Sequence, residues 1–124
     1  VADTEKTLSD ELRAAAAKLR EAAADAHGGP WGMADVGIAV ISADVQPYGA
    51  PCVADRLYEG DARWMVLTNP LLGEPLASWL ETTSHVIDSF RLPTHPLHEP
   101  CDDPCCYTAH HALAVARVLN GTST

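Results

Sequence analysis

Between residues 7 and 26 the apolar side chains recur at Leu8, Leu12, Ala15, Ala16, Leu19, Ala22, Ala23 and Ala26. That i, i+4, i+7 spacing puts them on one stripe of a helix, with Glu11, Arg13, Lys18, Arg20, Glu21 and Asp25 mostly off it. Because most of the stripe is alanine, whatever packs on it comes close to the helix backbone. Thr7 and Asp10 form a capping-box-like start, and Gly28-Gly29-Pro30 is a stop. His27 falls at the helix end, where the dipole favours a cation.

The next apolar run, Val36 to Ile41, is short and β-branched, which predicts a strand. A second strand is expected around Cys52 to Tyr58, with the turn residues Gln46 to Pro51 joining an antiparallel pair. Cys52 within that strand reads as a small buried hydrophobe. Asp61 is placed to cap a short helix through Leu67, and Asn69-Pro70 to open a longer one. Leu72, Leu76, Trp79, Leu80, Ile87 and Phe90 line one side of the longer helix, and His85 is expected at its surface or rim. The three tryptophans, Trp31, Trp64 and Trp79, fall in separate elements and read as core anchors.

Residues 91 to 103 form a proline-rich loop without periodicity. Asp103-Pro104 repeats the cap-plus-proline signature and opens a last helix to Val118 or Leu119, with Cys105, Ala109, Ala112, Ala116 and Leu119 as its apolar stripe. Asn120 and Gly121 end it. The expected fold is α+β: a long N-terminal helix, a small antiparallel sheet of two or three strands, and two or three further packed helices. With 124 residues, 47% hydrophobic and 20% charged, the chain has the size and composition of one globular domain over 1–124, frayed at 1–6 and 121–124.

Three of the four cysteines and three of the six histidines fall within residues 98 to 111, HEPCDDPCCYTAHH. The spacing of Cys101, Cys105, Cys106 and His110 lies in the range used by structural zinc, and His95, His98 and His111 are further candidate ligands. Two other readings stand beside zinc: thiols without metal, and a disulfide, which a reducing compartment disfavours. A catalytic pair of Cys106 with His110 or His111 lacks a recognisable orienting group or oxyanion hole. No phosphate-binding, dinucleotide-binding, zinc-protease or serine-hydrolase motif occurs.

Seventeen acids against eight bases give a formal charge of -9, which repels nucleic-acid phosphates and is compatible with a basic protein partner or with simple solubility. No run is long and apolar enough for a membrane span, and the acidic, polar start is unlike a signal peptide, so an intracellular, cytoplasmic location is expected.

The stretches LRAAAAKLREAAADAHGGPW, GDARWMVLTNPLLGEPLASWLE and HHALAVARVLNGT together resemble a set of small uncharacterised proteins of actinobacteria and their phages. They are broadly similar to Ead-type accessory proteins of the lambdoid-phage early region. The resemblance covers roughly residues 8 to 90 and 107 to 121; the family's turn threonine is absent here, and Met65-Val66 replaces an isoleucine-alanine pair. It implies an accessory protein that acts by binding another protein, as a regulator or inhibitor, and it carries no catalytic residue across. The alternatives are a small metal- or thiol-dependent enzyme and a small-ligand or nucleotide-binding protein. A homodimer through the second amphipathic helix is compatible with the pattern.

Overall fold

The computed structural model describes residues 7–34, 39–42, 51–92 and 104–122. Its elements are helix α1 (Leu8–Asp25), strands β1 (Trp31–Ala34), β2 (Ala39–Ser42) and β3 (Cys52–Ala54), helix α2 (Glu59–Leu67), a 3-10 turn (Pro70–Leu72), and helices α3 (Gly73–Phe90) and α4 (Pro104–Asn120). The fold is α+β, with four α-helices and a three-stranded antiparallel sheet among the described residues. Contacts divide the chain into two compact units, residues 1–19 with 76–124, and residues 20–75.

The first unit is helical. Its core joins Leu12, Ala15 and Ala16 of α1, Ala77, Leu80 and Ile87 of α3, Leu92, and Cys106, Ala109, Ala112, Leu113 and Ala116 of α4. Alanine at so many buried positions sets helix backbones close together, so the core is filled by approach rather than by large side chains. The capping box forms as expected: Asp10 N–H donates to Thr7 Oγ1 at 3.1 Å, and Thr7 N–H to Asp10 Oδ2 at 3.3 Å. Ser9 Oγ donates to Asp88 Oδ1 at 2.5 Å and Arg13 to Asp88 Oδ2 at 2.6 Å, tying α1 to α3. Arg117 donates to both carboxylate oxygens of Glu11, and Asn120 Nδ2 donates to the Glu11 carbonyl, tying α1 to α4. The end of α4 is a Schellman motif: Gly121 takes φ +73°, its N–H bonds Val118 O, and Thr122 N–H bonds Arg117 O.

The second unit holds the sheet, in order β1-β2-β3. Trp31 faces Ser42 and Ala34 faces Ala39 across β1 and β2; Ile41 faces Cys52 across β2 and β3, with a register irregularity after Val40. Helix α2 packs on β1 and β2. Asn69 caps the 3-10 turn, its Oδ1 accepting from Leu71 N–H at 3.0 Å while its Nδ2 donates to Val66 O at 2.8 Å. Arg20 makes a two-pronged pair with Glu74, and Ser42 Oγ donates to the Gly28 carbonyl.

Several expectations shift. The expected strand from Val36 to Ile41 is observed over Ala39–Ser42, residues 35–38 lying outside the described ones, and β1 is an added strand. Helix α2 starts at Glu59, two residues before Asp61, with Tyr58 at its cap and no side-chain cap bond. Cys52 is exposed rather than buried. Two of the tryptophans are not core anchors, Trp64 being 67% exposed and Trp79 39%, while Trp31 is half-buried. Phe90, assigned to the buried stripe of α3, is 70% exposed, because α3 is rotated to bury Ala77, Thr83 and Ser84 beside Leu80 and Ile87. Burying those hydroxyls is tolerated because each donates to its own helix, Thr83 to Trp79 O and Ser84 to Glu81 O.

Candidate functional site

On α2 the buried side is centred on Ala62, and the opposite side carries Trp64 and Leu67, exposed by 67% and 71%. The chain continues through Thr68 and Asn69 into the 3-10 turn, where Leu71 and Leu72 are also exposed, and Tyr58 is exposed at the other end. Five large apolar side chains thus face solvent within fifteen residues. The cause is local: a nine-residue helix has only about two and a half turns, and those are held down by Ala62 with Met65 and Val66 half-buried. Glu59 pairs with Arg63 at 2.8 Å on one flank, and Asp61 lies on the other. Over residues 20–75, eight acids stand against three bases, a net of -5. Large exposed apolar groups ringed by polar ones are the composition of a binding surface.

The cysteine and histidine candidates separate along α4. Cys106 is fully buried in the apolar core. His110 lies one turn further on; its Nε2 is buried and has no hydrogen-bond partner among the described residues. His111 is exposed on the other side of the helix and stacks on Tyr107 with ring centroids 6.2 Å apart. Cys101, His95 and His98 lie outside the described residues, as does the side chain of Cys105. Among the described residues no three His, Cys, Asp or Glu side chains are grouped to hold a metal. His85 is exposed, as expected of a rim position.

An open depression of about 310 Å³ lies between Thr7, Ser9, Asp88 and Arg91. Asp88 on its wall, and Asp10 on the first turn of α1, have carboxyls displaced from their ordinary range. The Ser9 hydroxyl, then Arg13, hold the Asp88 carboxyl below the ordinary range; hydrogen bonds from Thr7 do the same for Asp10. Both oxygens of Asp88 are engaged, so it serves as a tie between helices and is poorly placed as a general base.

Sequence reasoning missed the α2 surface, since Trp64 reads as a core anchor and Leu67 only as the end of a short helix. The signal was present in the periodicity: Ala62 sits opposite the midpoint of Trp64 and Leu67 on a helical wheel, and the smaller residue takes the buried place. No helix of the described residues is long and apolar enough to cross a membrane. No protein-family model, curated protein or solved structure matches the chain.

Proposed function

We propose that the chain is a phage or actinobacterial accessory protein that acts by binding another protein, as a regulator or inhibitor, and that it docks through the exposed face of α2 and the 3-10 turn. The observation that carries this reading is the outward-facing pair Trp64 and Leu67, continued by Leu71 and Leu72. Tryptophan is the residue most enriched where binding energy concentrates, and a desolvated apolar centre supplies most of it. The excess of acids over residues 20–75 selects a partner with a basic surface and steers its approach. Affinity capture from an actinobacterial lysate tests this with the wild-type chain beside Trp64→Ala/Leu67→Ser, whose changed side chains lie on the surface. A protein retained by the wild type, lost by the variant and weakened by salt is the expected result. Equal retention by the variant, or no retained protein, rejects the reading.

A metal at the head of α4 is a second proposal, resting on the buried Nε2 of His110, which has no hydrogen-bond partner among the described residues, one turn beyond Cys106. Zinc there would take the Cys106 thiolate and His110, with Cys101, Cys105, His95 or His98 supplying the remainder. Elemental analysis of the purified protein should find about one zinc per chain with protected thiols. Absence of metal with all four thiols reactive on denaturation would remove it.

A further inference from the structure

Helix α4 is apolar on two opposite sides. Cys106, Ala109, Ala112, Leu113 and Ala116 are buried in the first unit. The opposite side carries Tyr107, His111, Ala114 and Val118, of which Tyr107 is 45% and Val118 71% exposed. An ordinary solvent-facing helix side carries charge. Here the 17 residues hold one formally charged side chain, Arg117, and it is committed to Glu11. The outer face therefore has no Asp, Glu, Lys or Arg over four turns, in a chain of net charge -9.

We infer that this face pairs with the same face of a second copy, the two α4 helices running antiparallel. Three observations select that occupant. Tyr107, His111, Ala114 and Val118 recur at spacings of four, three and four, which is the seam of two helices packed at a shallow angle. A neutral seam lets two strongly acidic chains meet without bringing carboxylates together, whereas a charged partner would find no counter-charge on it. The seam is also self-complementary in size. A two-fold axis between His111 and Ala114 sets Tyr107 against Val118 and His111 against Ala114 of the other copy, large against small. Parallel pairing would instead oppose tyrosine to tyrosine and imidazole to imidazole. A shallow groove of about 330 Å³ between Ala114, Val115, Val118 and Leu119 gives the incoming Tyr107 ring a place to seat. The pair shares no residue with the α2 surface, so the two proposals stand or fall separately.

The seam spans twelve residues, about 18 Å of helix, and covers less than the roughly 800 Å² per partner typical of a stable complex. The dimer is accordingly weak and concentration-dependent. Sedimentation equilibrium from about 10 μM to 1 mM, the range such an interface would populate, reads it directly. Val118→Glu puts two unpaired carboxylates into the seam and should raise the dissociation constant at least about a hundredfold while leaving helicity unchanged. Tyr107→Lys/Val118→Glu then distinguishes orientation: antiparallel pairing forms two lysine-glutamate pairs and regains association, while parallel pairing opposes like charges. Trp64→Ala/Leu67→Ser should associate as the wild type does. A wild type that stays monomeric at 1 mM on the order of the weakest such contacts, or a Val118→Glu variant that associates equally, overturns the inference; a double variant that stays monomeric overturns the antiparallel arrangement.

Discussion

Replacing Gly29 by alanine should destabilise the second unit through one identifiable collision. A Cβ at Gly29 would lie 2.6 Å from Asn69 Oδ1 and 2.8 Å from Leu71 Cγ. Leu71 is exposed and can turn aside, but Asn69 is held by two bonds, to Leu71 N–H and to Val66 O. Moving it loses both, at about 0.5–1.5 kcal/mol each. Against this stands a gain of about 0.4–1 kcal/mol from the less flexible unfolded chain. The net is a loss centred on about 1.3 kcal/mol, within a range of about 0–2.6 kcal/mol. Urea unfolding followed by tryptophan fluorescence measures it, since Trp31 and Trp64 lie in this unit. The decisive comparison is the same substitution in an Asn69→Ala background, where the obstacle is gone and the loss should fall below about 0.5 kcal/mol. Gly60→Ala, whose Cβ meets nothing within 4 Å, should stabilise α2 by about 0.5–1 kcal/mol. If Gly29→Ala costs the same with and without Asn69, the collision is not the cause.

Ala16→Leu should cost about 1–3 kcal/mol by overpacking the close approach of α1 to its neighbours, while Ala17→Leu, exposed on the same helix, should lie within about 0.5 kcal/mol of wild type in thermal unfolding. The carboxyls of Asp88 and Asp10 titrate below their ordinary value of 3.8, so the stability they contribute is present above that value and lost as pH falls through their folded-state values. Unfolding measured from about pH 5 down to pH 2 should therefore steepen in the acid range for wild type, and less so for Asp88→Asn.

The parts legible in the sequence are those decided by neighbours along the chain. Thr7 with Asp10 caps α1 as read, and Gly121 closes α4 through local bonds of its own N–H and that of Thr122, while Asn69 before Pro70 caps as read but opens a 3-10 turn, the long helix following from Gly73. The faces of α2 and α3 were illegible for a different reason. Hydrophobicity ranks Trp64, Trp79 and Phe90 above Ala62, Ala77 and Ser84, but a core built on close helix approach selects for smallness. On α4 the same preference gives a core of Cys106, Ala109, Ala112 and Ala116 around Leu113. Strand β1 carries Gly32 and an exposed Met33, and owes its conformation to its pairing with β2. At the cysteine-rich stretch, the sequence placed Cys106 and His110 one turn apart, and the helix does so.

The bonds from Arg117 to Glu11 join residues 106 apart, and they belong to a unit assembled from the two ends of the sequence. During synthesis at about 5–20 residues per second, α1 waits roughly 5–20 s before its last partner leaves the ribosome. Residues 20–75, which hold the sheet, are synthesised well before that. Throughout the interval the alanine face of α1 lacks the helix that finally closes over it, and its low apolar area per residue makes it a poor nucleus for aggregation. A core of alanines is slow to be completed and safe to leave open.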